Sequence, residues 1–155
     1  MKIDIYTDGS ARGNPGPGGY GVVMISGKHR KEISQGYKHT TNNRMELMAV
    51  IIALEQLKLS NMNVTIHTDS KYVCESVEKK WVFGWHAKGF SGKKNADLWI
   101  KFLKLFHQHQ IKFKWIKGHA GHTENERCDQ LATMAADSSN LLVDTEYEKQ
   151  KATLL

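Results

Sequence analysis

Cysteine and proline are scarce in this chain, with two of each among 155 residues. Cys74 and Cys128 form neither a CxxC pair nor a regular framework. That excludes a disulfide scaffold and leaves two reduced thiols packing as small apolar groups in a reducing compartment. Both prolines fall within Gly13-Asn-Pro-Gly-Pro-Gly-Gly19, a dense turn signal. Long apolar runs are also missing, so no segment reads as a membrane helix, and the alternating amino terminus does not read as a secretory signal. A cytoplasmic protein is expected, with no binding module ahead of Met1. Neither a repeat nor a linker divides the chain, whose length suits one domain with a real core.

Basic residues outnumber acidic ones, 22 to 16, for a formal charge of +6. This points to a polyanionic partner only weakly, because many small basic proteins bind none. The hydropathy pattern says more. Lys2–Thr7 and Val64–Thr68 alternate as strands, and each runs into an aspartate, Asp8 and Asp69. Open α/β sheets build their sites at such strand ends, and two carboxylates meeting there repel unless a cation lies between them.

Between those strands, Tyr20–Ile25 and Glu32–Tyr37 read as two further strands around a Ser26-Gly27 turn. Thr40-Thr-Asn-Asn43 is an N-cap cluster before a helix from Arg44 to Lys58, with Met45, Met48, Ile52 and Leu59 near one stripe. A helix from Lys71 to about Val77 follows Asp69. The segment 79–94 then interleaves Trp81, Trp85 and Phe90 with Lys79, Lys80, Lys88, Lys93 and Lys94. Asn95 is placed to cap a helix through Phe106, Ile111–Ile116 alternates as a last strand, and Glu124–Ala136 reads as the last helix. From 138 onward the chain is polar and weakly periodic, so a loose tail is expected. The predicted class is α/β: a mixed five-stranded sheet, three antiparallel strands then parallel ones, flanked by helices.

Each acidic candidate has a bland reading in isolation. Asp8-Gly9 is a turn dipeptide, Asp69-Ser70 is a helix cap, Glu46 suits a helix N-terminus, and Asp129 suits a solvated face. Together they offer hard oxygen ligands from two strand ends and two helices, the donor set Mg²⁺ prefers. Two metals bridged by a carboxylate can activate water and stabilise the departing oxygen of a phosphoryl displacement.

Tyr6-Thr-Asp-Gly-Ser10, Thr40-Thr-Asn-Asn-Arg-Met-Glu-Leu-Met48, Thr68-Asp-Ser70, Lys117-Gly-His-Ala-Gly-His122 and Glu124-Asn-Glu-Arg-Cys-Asp129 occur in this order. With the glycine-proline turn, they resemble type 1 ribonuclease H in its bacterial form, over 1–137. The resemblance implies a monomeric endonuclease that cuts the RNA strand of RNA–DNA hybrids, leaving 3′-hydroxyl and 5′-phosphate ends. It implies Asp8, Glu46, Asp69 and Asp129 as ligands of two Mg²⁺ ions, replaceable by Mn²⁺, with Asp8 bridging. His119 resembles the family's loop histidine, assigned to proton transfer or product release. RNA-side contacts fall to Gly9, Ser10, Asn14, Asn42 and Asn43, whose alternative reading is turn and cap chemistry. Lys71, Trp81, Trp85, Lys88, Lys93 and Lys94 complete the expected substrate surface, the last five on a basic protrusion over 79–94 facing DNA. The alternative there is that Trp81, Trp85 and Trp99 anchor the core beside a solvated lysine face, and both are expected, the tryptophans mainly packing and the lysines mainly facing phosphate.

The chain departs from better-known members in a shorter protrusion, in Lys71 where glutamine is common, and in Ala11-Arg12 where cysteine is often seen. A zinc site of His119, His122 and Cys128 fits no ligand spacing, and His107, His109 and His122 read as solvated. A transposase, integrase or resolvase on the same sheet would lack the histidine loop, and a silent hybrid-binding protein would have lost a carboxylate.

Overall fold

The first strand, β1 (Lys2–Ala11), buries Ile3, Ile5 and Thr7 on one face, the alternation its sequence carries. In the computed structural model, which describes residues 2–118 and 121–153, β1 is central in a mixed sheet. On one side it pairs antiparallel with β2 (Gly16–Ser26), which pairs antiparallel with β3 (His29–Thr40) across a turn at Gly27. On the other side β4 (Asn63–Thr68) runs parallel to β1, and β5 (Gln110–Trp115) runs parallel to β4.

Helix α1 (Asn42–Glu55) starts where Thr41 accepts a hydrogen bond from the Arg44 amide at 3.2 Å. Helix α2 (Lys71–Glu78) starts where Ser70 accepts one from the Val73 amide at 3.2 Å. With α4 (Ala96–Phe106), these helices close the main core, where Trp99, Phe102, Leu47 and Val50 pack against Ile5, Val22 and Ile66. Short α3 (Trp81–Ala87) projects beside them, pinned by buried Val82 and Phe90. The opposite face is covered by α5 (Thr123–Ala136), which lies almost on the backbone of the sheet. A Cβ at Gly21 would stand 2.3 Å from the Cys128 carbonyl, and one at Gly36 would stand 2.1 Å from that of Ala135. No helix among the described residues is long and apolar enough to cross a membrane.

Three expectations need correction. The α1 stripe was to reach Leu59, but the helix ends at Glu55 and Leu59 is 67% exposed, because the chain turns through Asn61 at positive φ to enter β4. Asn95 precedes α4 without capping it by side chain. Its amide instead donates to the Tyr72 hydroxyl at 3.1 Å and accepts from Arg44 at 3.4 Å.

The loose tail expected from 138 is also absent. Leu141–Leu142 adds a sixth strand, β6, parallel to β3, and Thr145–Thr153 forms α6. The cause is electrostatic. Arg44, 1% exposed, bonds Asp144 through Nε at 2.8 Å and Nη2 at 3.0 Å, while Asp97 takes two more of its protons at 2.8 and 2.9 Å. A buried guanidinium needs such partners, and only the tail and α4 supply them.

Removing the cation strands two carboxylates. Arg44→Ala is expected to cost about 3–5 kcal/mol in urea unfolding, with α6 losing amide-exchange protection first. At the surface, hydrogen bonds from Arg127 and Arg30 hold the Glu32 carboxyl down to about 2. A lowered folded value means that this stabilisation is present above the ordinary carboxylate range and is lost as pH falls toward 2. The urea midpoint should therefore drop between about pH 5 and pH 2, and Glu32→Gln should flatten that drop.

Candidate active site

The β1–β4 ladder stops at Tyr6 and His67, although β1 continues to Ala11 along β2. A notch opens there between the two parallel strands. Asp8 stands on one lip, and Asp69, the residue after β4, stands on the other. Strand β1 thus does not end at its aspartate, whereas its parallel pairing has already ended two residues earlier, at Tyr6.

Glu46 reaches the notch from α1, and Gly9 explains how. A Cβ at Gly9 would sit 2.4 Å from the Met45 carbonyl carbon and 2.5 Å from the Glu46 nitrogen, so only glycine admits the helix this closely. The Gly9 amide then donates to Glu46 Oε1 at 2.6 Å and to Asp8 Oδ1 at 2.9 Å. Asp69 is steadied from β5, where the Trp115 indole donates to its carbonyl at 3.1 Å. The result is three carboxylates with one oxygen each inside 4.8 Å, two of them on buried residues. Asp129, half-buried on α5, lines the same cleft of about 390 Å³ but lies outside that tight trio.

The electrostatics follow from burial. The Asp8 carboxyl is pushed up to about 7, by burial first, against a lowering hydrogen bond with Glu46, and further by the charges of Asp69 and Asp129. Glu46 is held well above the usual carboxylate range by burial and then by Asp8. Its Oε2 is buried with no hydrogen-bond partner among the described residues, and an orphaned buried acceptor carries a desolvation penalty. A hard divalent cation is the ligand that would satisfy that oxygen and relieve the crowding, so Asp8, Glu46 and Asp69 fit such an ion.

Gly9, Ser10, Asn42, Asn43 and Lys71 also line the acidic cleft. The amides double as scaffold: Asn42 accepts from the Ala11 amide at 2.6 Å, and Asn14 accepts from the Asn42 amide at 3.0 Å. On the protrusion, Lys88 and Lys93 share a hollow of about 490 Å³ with Trp81 and Trp85, and Lys94 borders a neighbouring hollow with both rings. Trp81 is no core anchor, since it is 46% exposed under the Lys79 ammonium. Trp85 is half-buried edge-on to Trp99 and carries Lys93 over its face, so it both packs and presents a surface.

His119 lies outside the described residues, and with it Ala120. Cys128 is buried, donates toward the Tyr6 carbonyl at 3.2 Å, and has its thiol pushed up by burial, which suits packing and not zinc. Two residues of the site escaped the sequence reading. Tyr72 lines the cleft and accepts from Trp99 Nε1 at 2.8 Å, and Trp115 supports Asp69. Only position marks them, Tyr72 three residues after Asp69 and Trp115 at the end of β5.

A mixed sheet in the order β5-β4-β1-β2-β3-β6, with an acidic cleft where its parallel strands part, defines a nuclease of the RNase H fold. The RNase H family profile matches residues 1–137, and the chain belongs to the ribonuclease H family. It is similar to Ribonuclease H of Desulforamulus reducens, 55% identical over 148 residues and 92% of each chain. It is also similar to Ribonuclease HI of Shewanella oneidensis, 49% identical over 153 residues and 96% of each. Among solved structures, LC9-RNase H1, a type 1 RNase H with the type 2 active-site motif, superposes with a TM-score of 0.79 at 32% identity, covering 97% of this chain and 81% of that one. LC11-RNase H1, solved in complex with RNA/DNA hybrid, gives 0.66 at 33% identity, covering 87% and 96%.

Crowded buried carboxylates trade stability for chemistry. Asp8→Asn removes one charge from the trio, so in chelator it is expected to melt higher than the parent, by about 0.5–2 kcal/mol. A lower melting temperature would mean that the Gly9–Asp8 bond outweighs the repulsion.

Proposed function

We propose that this ribonuclease H is a divalent-metal-dependent endonuclease that hydrolyses the RNA strand of RNA–DNA hybrids and leaves 3′-hydroxyl and 5′-phosphate ends. The observation that carries the reading is the convergence of Asp8, Glu46 and Asp69, with Asp129 on the same cleft and one Glu46 oxygen unsatisfied. The four carboxylates would hold Mg²⁺, with Mn²⁺ as a substitute and Asp8 bridging two ions once substrate is present. Mg²⁺ so held supplies Lewis-acid chemistry and an activated water for an in-line displacement at phosphorus.

The chain's own groups do the positioning. Gly9, Ser10, Asn14, Asn42 and Asn43 offer backbone and amide groups suited to reading 2′-hydroxyls across a wide, shallow minor groove. Lys71 extends that row, and Lys88, Lys93 and Lys94 with Trp81 and Trp85 present cations beside aromatic faces to the DNA strand. The hybrid bound by LC11-RNase H1 supports this partner. His119, between glycines in sequence, moves a proton near the leaving group or helps the product depart. We place the catalytic unit in 1–137 with its protrusion over 79–94, working as a monomer in the cytoplasm, where buried Cys74 and Cys128 stay reduced.

The test is cleavage of an end-labelled hybrid beside duplex RNA and duplex DNA, with Mg²⁺, with Mn²⁺ and with chelator. Cutting of the hybrid's RNA strand alone, lost in chelator, is expected, with products that accept ligation only in the orientation of a 5′-phosphate. Unchanged cutting in chelator would overturn the metal reading. Asp8→Asn should abolish turnover and keep hybrid binding. His119→Ala should lower kcat by about 10²-fold with KM little changed.

A further inference from the structure

The last helix borders a cavity that nothing above assigns to it. This hollow of about 480 Å³ has Asn14, Thr41, Asn43 and Asn95 on the side of the sheet and α1. Lys94 enters from the protrusion, and Tyr147, Gln150 and Lys151 form the wall from α6. Asn43 also borders the acidic cleft, and Asn43, Lys94 and Asn95 also border the hollow under Trp81 and Trp85. The three depressions therefore adjoin one another through shared walls, and α6 borders the outermost of them.

Charge makes that border significant. Among the described residues, two lysines and several amides line the cavity and no carboxylate does. The acids packed beneath it, Asp97 and Asp144, are both engaged by Arg44. Helix α6 is held at a fixed distance by three contacts. Asp144 is buried in the Arg44 pair, the Tyr147 ring lies 5.8 Å from the Arg44 guanidinium, and the same ring lies 5.5 Å from that of His39. Lys151 lines the cavity with its Nζ 3.1 Å from His39 Nε2, an imidazole and not a carboxylate. A row of amides between two ammonium groups suits a phosphodiester, where cations supply attraction and amides supply direction.

We propose that α6 belongs to the substrate-binding surface and that Lys151 meets a backbone phosphate of the hybrid, facing Lys94 across the cavity. The inference rests on the hybrid-cleaving reading above and extends it to a helix beyond residue 137, where the family match ends. Lys151 is a binding residue in this assignment, remote from the carboxylates, so its removal raises KM and leaves kcat alone.

Fluorescence anisotropy of a short labelled hybrid, in chelator and over a series of KCl concentrations, separates the outcomes. Lys149, on the same helix but paired with Glu146 and absent from the cavity wall, is the control. Lys151→Ala is expected to weaken binding about 3–10-fold and to make the salt slope shallower by roughly one, with the melting temperature unchanged. Lys149→Ala should do neither, and Lys151→Glu should weaken binding further. Parent-like binding by Lys151→Ala, or equal losses in both alanine variants, would overturn the assignment while parental cleavage still stood. A parent that neither binds nor cuts the hybrid would remove the broader reading with it.

Discussion

The structure is organised around a repulsion. Three carboxylates with oxygens inside 4.8 Å, on side chains largely withdrawn from water, oppose the folded state unless something positive joins them. Each feature around the notch serves to hold that arrangement. The parallel ladder ends at Tyr6, two residues before Asp8, the Gly9 amide bonds two of the acids at once, and glycine at that position lets α1 lie against the strand. Glu46 keeps one oxygen without a hydrogen-bond partner among the described residues, an acceptor left for a ligand. Strain of this kind persists only where the surrounding fold over-determines it.

The surrounding fold does so from both faces of the sheet. On one, α1 is locked by a core whose largest members, Trp99 and Phe102, are wholly buried. On the other, α5 presses on Gly21 and Gly36 so closely that its own position, and that of Asp129 on it, is fixed by backbone contact. Close backbone packing tolerates little movement. A carboxylate carried on such a helix keeps its distance from the notch without needing a hydrogen bond to do so.

Much of this was legible before any coordinates. The alternation in β1 and β4, the Thr41 and Ser70 caps, and the four acids on four different elements all follow from local rules of pattern and capping. What stayed hidden depends on contacts between distant residues. Asn95 reads as a cap, and its side chain is spent on Tyr72 and Arg44 instead. The segment after 138 reads as loose because its order comes from Asp144 meeting an arginine 100 positions away, and no periodicity records that. Trp81 reads as mainly packing, yet it stands 46% exposed, since an aromatic between lysines satisfies both patterns and only the folded contacts choose.

Arg44 and Glu46 show how one helical turn can hold opposite charges without cancelling them. Two residues apart, their side chains leave the helix on different sides. The arginine enters a pocket with Asp97 and Asp144, whose two charges exceed its own. The guanidinium is thereby consumed and has nothing left to neutralise Glu46. Had it faced the notch, it would have joined the carboxylates into an internal salt bridge and occupied the place a metal needs. By placing Arg44, the one buried cation among the described residues, elsewhere, the fold keeps the cleft negative within a chain whose overall charge is +6. Opposite demands are thus kept apart by a few ångströms of helix: a basic exterior that attracts a polyanion and an acidic notch that would otherwise repel it. On the reading proposed for this site, a divalent ion between carboxylate and phosphate is what would make the two compatible.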